Sequence, residues 1–348
     1  MTEGLQVWQA LDARLKMDSI SSSWEWTAGW IKSFGSHIPH QIWIGEENGV
    51  VRGMSLVTFP VTQQGPFSVR SVHLGTAGEP QTDSLCVEYN RLLVEEPYRT
   101  NFMLAILEKL HEDSTWDQIH FDGMAPEEAE ILIATERQLQ VRLAPSPYFS
   151  LQQAREQGEG ILKLLGSNSR NDIKRKLRQW GKLTIDWAET NSQAEEIYGE
   201  LIQLHQQRWN AAGQPGSFSS SPFREFHRRM IHEFLPQRRV ALIRVKNETQ
   251  TIGCVLNYIE RKTVLFYQIG VAAEPAKQSP GLISIYACME EALRRGYDKF
   301  DFLAGDGEHK RRLSTHANQL IWGKYQRPRF KFSLIDNLRM ARNIWTRQ

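Results

Sequence analysis

The sequence predicts an α/β protein with a mixed sheet. It is built from two tandem units, each a mostly antiparallel sheet flanked by helices. Three observations carry this. The chain has 348 residues, too long for one ordinary domain and comfortable for two. Each half reads as a hairpin, a further strand, a helix and a strand, in that order. The last strand is entered the same way in both halves. Trp116-Asp117-Gln118-Ile119-His120-Phe121 and Tyr297-Asp298-Lys299-Phe300-Asp301-Phe302 both run aromatic, Asp, polar, apolar, polar, Phe. The expected domains are residues 1–160, residues 161–330 and a closing basic helix at 331–348.

Composition narrows the class. The chain is 41% hydrophobic and 24% charged, as in soluble globular proteins, and its formal net charge of +2 does not itself suggest nucleic acid. No apolar run has signal-peptide or transmembrane length, so a cytoplasmic location is expected. Cys86, Cys254 and Cys288 are widely separated and lack metal-ligand spacing, so they read as reduced and structural, with no metal. Asn247-Glu248-Thr249 reads as a turn.

In chain order, the opening helical segment carries Trp8, Trp24, Trp26 and Trp30 as packing residues. Strands follow at 41–45, 50–61 and 66–74, a helix at 98–111, a strand at 117–121, a helix at 126–138 and an extended segment at 141–151. The polar stretch 151–166 reads as a linker. A basic helix then starts at Ser167 or Asn168, and residues 170–182 hold six cations and one Asp. A strand at 183–187, an amphipathic helix at 192–211, a mobile-looking loop GQPGSFSSSP, a helix at 222–235 and a hairpin around Asn247 complete the approach.

Residues 263–310 organise the second half. An apolar strand at 264–269 leads through a loop into a helix that begins Ser279-Pro280-Gly281. Ser279 suits the N-cap, Pro280 the first helical position, and Gly281 leaves the backbone amides uncovered. Arg294, Arg295 and Gly296 close the helix. A helix N-terminus beside a strand end suits a phosphate-bearing cofactor, though a well-capped packing helix has the same local pattern.

The order of elements from residue 183 to 325 resembles the GNAT N-acetyltransferase fold. The segments SRNDIKRKLRQWGKL, LHQQRWNAAGQPGSF, SPFREFHRRM and FYQIGVAAEPAKQSPGLISIYACMEEALRRGYDKFDFLAGDGEHKRRL look like the CelD/BcsL-type group, linked to cellulose and other exopolysaccharide biosynthesis. The chain is also similar to Fem-type peptidoglycan aminoacyltransferases, which carry two GNAT-like units. The resemblance implies that acetyl-CoA or another acyl-CoA lies where two strands splay, its pyrophosphate at the helix start. The matching positions are Gln268, Ile269, Gly270 and Val271, with Ser279, Pro280, Gly281 and Leu282. The loop AAEPAKQSPG replaces the compact GNAT phosphate loop. A Fem-like protein would use an aminoacyl-tRNA instead.

Acyl transfer needs a base, an oxyanion partner and a hold on the acceptor. Asp301 and Asp306 flank the end of the last motif strand, as candidates for a base or for orienting the acceptor. A turn-forming role is the alternative for Asp306 in Gly-Asp-Gly. By analogy with a Fem-like lysine, Lys310 neutralises developing charge; Tyr267 is a candidate donor to a leaving thiolate. His205, Arg208 and Trp209 stand where the GNAT acceptor pocket is bounded. In the first half, Asp83 and Asp122 are the acidic residues of interest, Asp83 as a candidate for substrate binding. The expected reaction moves an acyl group to an amine or hydroxyl of a sugar, amino acid or cell-envelope precursor. Alternatives are an aminoacyl-tRNA-dependent transferase and a non-catalytic module. The basic helix is a candidate contact for tRNA, a nucleotide-sugar or a membrane surface, or a solvated face.

Overall fold

The computed structural model describes residues 3–17, 19–135, 138–273 and 278–336. The expected loop 272–281 and the closing helix 331–348 therefore lie partly outside the described residues, at 274–277 and beyond 336. The first half runs α1 (Glu3–Leu15), α2 (Trp24–Phe34), β1 (His40–Glu47), β2 (Val50–Thr58), β3 (Val61–Gln64), β4 (Phe67–Leu74), β5 (Leu93–Val94), α3 (Arg99–Glu112), β6 (Gln118–Met124), α4 (Pro126–Thr135) and β7 (Gln140–Ser150). The second runs α5 (Leu151–Glu156), α6 (Ile161–Leu164), α7 (Ser167–Trp180), β8 (Thr184–Trp187), α8 (Asn191–Ala211), α9 (Ser221–Phe234), β9 (Val240–Lys246), β10 (Thr251–Glu260), β11 (Thr263–Val271), α10 (Pro280–Arg294), β12 (Lys299–Asp301), α11 (Glu308–Leu313) and β13 (His316–Gln326).

The chain divides into two compact units: Met1–Met17 with Ser21–Leu143 and Leu320–Gln348, and Asp18–Ile20 with Ala144–Gln319. In the first unit the sheet order is β1, β2, β4, β6 and the 320–326 part of β13. Its pairs are antiparallel except β4 with β6, which is parallel through Ser71↔Gln118 and His73↔His120. In the second unit the order is β8, β9, β10, β11, β12 and the 144–150 part of β7. Again only one pair is parallel, β11 with β12, from Thr263↔Lys299 to Leu265↔Asp301. The two units thus share one topology, apart from the edge strand β8, which has no counterpart in the first. The matched strand entries take the same place in each: Asp117 N donates to Arg70 O, and Asp298 N donates to Lys262 O, both at 2.8 Å.

Each core follows from the periodicity of its elements. In the first unit Phe102, Met103, Ile106 and Leu110 of α3 pack on Val57, Val72, Ile119 and Phe121. In the second, Ile283, Ala287 and Met289 of α10 pack on Val255, Val264, Phe266 and Phe300. The expected linker proves to be part of this core. Leu151, Ala154, Ile161 and Leu165 are buried there, because the polar residues between them occupy only the outer face of α5 and α6. The strand expected at 66–74 is the second arm of a tight hairpin with β3, turned at Gly65 with φ +62°. Asn247 makes the expected turn, its Oδ1 accepting from Thr249 N and Gln250 N. Among the described residues, no helix is long and apolar enough to cross a membrane, and no group of three or more His, Cys, Asp or Glu is placed to hold a metal ion.

Candidate active site

The site predicted in the second half forms around the point where β11 and β12 part. Their parallel pairing stops at Leu265 and Asp301, while β11 continues beside β10 to Val271. A bulge interrupts β11. Gln268 pairs with Leu256 and Phe266 with Asn257, so Tyr267 is the extra residue. Beyond it, Gly270 meets helix α8. A Cβ at Gly270 would lie 2.4 Å from Leu201 O and 2.9 Å from His205 N, so the glycine permits a backbone-to-backbone approach. That contact sets Gly270 against the Leu201 to His205 turn of α8, about one turn before Arg208 and Trp209.

Helix α10 begins beside the end of β11, with the Cβ position of Gly281 3.8 Å from Val271 Cγ1. Ser279 holds the N-cap position, followed by Pro280, Gly281 and Leu282, but it does not cap in the expected way. Its backbone is left-handed (φ +49°, ψ +64°) and its hydroxyl makes no bond to the helix amides. Instead Ser279 Oγ accepts from Lys176 Nζ at 2.5 Å, and Gln278 O accepts from Trp180 Nε1 at 3.1 Å. The basic helix α7 therefore docks on the start of α10. It begins after Gly166 without a side-chain cap, rather than being capped by Ser167 or Asn168.

Lys176 is buried at 6% exposure and lies 3.1 Å from Asp172. Asp172 is shared by Arg175 and Arg312, each at 2.6 Å. Burial works to raise the Asp172 carboxyl, but hydrogen bonds from Arg312, Arg175 and Lys176 outweigh it and hold the group well below the usual carboxylate range. Of the three cations around this carboxylate, Lys176 reaches the start of α10, a helix end that itself carries partial positive charge, an arrangement suited to an anion.

The remaining predicted residues divide by burial. Asp301 is fully buried, its Oδ1 accepting from Ser146 Oγ and Leu303 N, both at 2.8 Å. It holds the left-handed turn at Leu303 (φ +60°) after β12. Lys310 Nζ donates to Leu303 O at 3.0 Å and Ala304 O at 2.6 Å, tying α11 to that turn. Asp306 is exposed and pairs with Arg311 at 2.7 Å. His205 is buried, edge-on to Phe218 at 4.8 Å, and burial lowers its pKa; Arg208 and Trp209 are exposed. The loop after α8 is folded back rather than loose. Gln206 Nε2 donates to Pro215 O at 2.7 Å, and Phe218 is buried at 1% exposure. Asp83 belongs to the first unit, in the short helical turn Gln81–Asp83, and is not part of this constellation.

Sequence reasoning missed two histidines. His227 of α9 is fully buried between two tyrosines, with Nδ1 2.6 Å from Tyr258 OH and Nε2 3.0 Å from Tyr267 OH. Burial pushes its pKa down to about 3, so the ring is neutral. A neutral imidazole has one N–H, so one tyrosine donates to His227 and the other accepts from it. His309 of α11 stands edge-on to Phe266 at 6.4 Å; burial lowers its pKa, and the charges of Lys310 and Arg208 lower it further. The run His309-Lys310-Arg311-Arg312 is visible in the sequence, where only Lys310 has an expected role.

Residues 167–311 match the family model described as Acetyltransferase (GNAT) domain. Solved structures of similar fold include FemX, with TM-score 0.58 and 11% identity over 96% of this chain and 99% of that one. A second is the C-terminal domain (DUF2156) of a putative lysylphosphatidylglycerol synthetase from Agrobacterium fabrum, with TM-score 0.53 and 10% identity over 92% of each chain. A third is a tandem GNAT protein from the clavulanic acid biosynthesis pathway, with TM-score 0.50 and 11% identity over 94% and 96%. No curated protein matches the chain. Residues 167–311 thus resemble a GNAT acetyltransferase domain, and the likeness in fold to these three structures extends over nearly the whole chain.

Proposed function

We propose that the protein is a cytoplasmic acyltransferase of the CelD/BcsL-type group. It moves an acyl group from acetyl-CoA or a longer acyl-CoA to an amine or hydroxyl of a sugar, amino-acid or cell-envelope precursor. The observation that carries this is the start of α10, where a buried lysine on a neighbouring helix adds to the uncovered amides beside two diverging strands. A CoA pyrophosphate satisfies that excess of positive charge, with Pro280 to Leu282 supplying the helix start and Lys176 the cation.

The acceptor's amine or hydroxyl attacks the thioester carbonyl, its proton passes to a base, and the tetrahedral oxyanion collapses to expel the thiolate. Tyr267 gives its proton to the thiolate and regains one from solvent, while the neutral His227 behind it, held by Tyr258, orients its hydroxyl. His205, Arg208, Trp209 and Asp306 hold the acceptor, with His309 or Asp306 taking its proton. Asp301 and Lys310 act through the turn they fix at Leu303. Isothermal titration with acetyl-CoA and longer acyl-CoAs tests the reading. Saturable binding that weakens about tenfold or more in Lys176→Met is expected; no binding of any acyl-CoA would sink it.

A second reading, transfer from an aminoacyl-tRNA, draws on the exposed cations Lys174, Arg175 and Arg178 of α7 and the FemX-like fold. It requires a complex with charged tRNA at low salt, and the absence of one removes it.

A further inference from the structure

The first unit contains a cavity that the acyl-transfer reading does not use. It has a volume of about 640 Å³ and lies at the parallel pair β4/β6, the topological counterpart of β11/β12. Its wall includes His73, His120 and Asp122, which the period of two puts on one face of adjacent strands. His73 Nδ1 lies 2.6 Å from the Asp122 carboxylate, and the rings of His73 and His120 stack at 4.7 Å and 10°. His120 Nε2 is 3.2 Å from Gln118 Oε1, which fixes that nitrogen as the donor. Burial and the neighbouring His73 push the His120 pKa down to about 4, so this ring is neutral and its Nδ1 is an acceptor.

Among the described residues, nothing hydrogen-bonds His73 Nε2 or His120 Nδ1. The charges around them are largely balanced. Asp122 and Glu88 are set against Arg142, which lies 4.4 Å over the Trp322 ring, and Lys324. Glu79 accepts from Leu85 N and Trp30 Nε1, and burial raises its pKa. The helix after β4 and β5, α3, starts at Tyr98 and Arg99 without a Ser-Pro-Gly turn, so the features proposed to hold a phosphate in the other unit have no counterpart here.

We propose that this cavity is a separate ligand site for a neutral, hydroxyl-rich molecule of disaccharide size. Hydroxyl groups fit because they donate to His120 Nδ1 and either donate to or accept from His73 Nε2, whichever form that ring takes. A fully ionised phosphate or carboxylate has no donor for His120 Nδ1, and the balanced wall has no excess charge to hold one. The volume falls in the ordinary range for small-molecule pockets. The inference does not rest on acyl transfer, because the binding needs no acyl-CoA.

The test uses the whole chain with ¹⁵N-labelled histidine rings, titrated with cellobiose and chitobiose, and separately with inorganic pyrophosphate and putrescine. Ring signals are assigned by their loss in His73→Gln and His120→Gln. One of the disaccharides is expected to shift both signals saturably, with a Kd of about 1 mM or tighter. Gln81→Trp, on the exposed rim, is expected to weaken that binding about tenfold or more while leaving the free protein's ring signals in place. The proposal is overturned if neither sugar moves the signals at about 10 mM, if pyrophosphate or putrescine moves them and the sugars do not, or if Gln81→Trp binds as the parent does.

Discussion

Tyr267 and His227 show how one side chain's role depends on what lies behind it. Tyr267→Phe is expected to cost about 1 kcal/mol of stability, one hydrogen bond, while lowering kcat about a hundredfold with KM for acyl-CoA little changed. A kcat within twofold of the parent would remove Tyr267 from the proton path. His227 also ties stability to pH. Its folded pKa of about 3 lies below the ordinary 6.5, so below pH 6.5 the unfolded chain takes up a proton that the fold refuses. Its contribution is complete above pH 6.5 and is lost as pH falls towards 3, at up to about 1.4 kcal/mol per pH unit. Urea melts at pH 7 and pH 5 should therefore show a smaller loss in His227→Gln than in the parent; equal losses would contradict the assignment. Tyr267 was legible because it stands inside the motif strand. His227 was not, since it lies 40 residues earlier on a helix face where His and Phe alternate without a chemical pattern.

Elements are positioned here by close approaches that only glycine allows. Gly270→Ala would drive a methyl into Leu201 O, pushing α8 from β11, with an expected destabilisation of about 1–3 kcal/mol. Gly281→Ala meets nothing nearer than 3.8 Å, so its melting temperature should stay within about 2 °C of the parent. Thermal melts of the pair distinguish a packing glycine from one at an open helix start; equal losses would contradict the distinction. The sequence marked both glycines as cofactor positions, because the strand and helix patterns reveal which element a residue belongs to but not which neighbour it faces. The same limit explains α5 and α6. Their buried Leu151, Ala154, Ile161 and Leu165 are too few and too widely spaced, among glutamines and glycines, to outweigh a polar reading.

At the scale of the molecule, each topological copy is completed by a strand from the other half of the chain. β7 follows the first copy's helix α4 yet pairs with β12, and β13 follows α11 yet pairs with β6. Residues 161–330 expressed alone therefore lack the strand that closes their sheet on Asp301. They should be recovered aggregated or without a cooperative melt; a soluble fragment that melts like the whole chain would contradict this. The duplication itself was legible, since Trp116-Asp117 and Tyr297-Asp298 enter equivalent strands. The exchange of closing strands was not, because it depends on pairings between distant segments, such as Lys299 with Ser150 and Gln326 with Gln118.

The central claim, that the α10 start and the β11/β12 wedge hold an acyl-CoA, is tested most directly by a crystal structure of the protein with CoA. The account predicts the pyrophosphate at the amides of Gly281 and Leu282 within reach of Lys176, and the pantetheine passing beyond Leu265 and Asp301 beside Tyr267. CoA bound elsewhere, or crystals that take up none at saturating concentration, would contradict it.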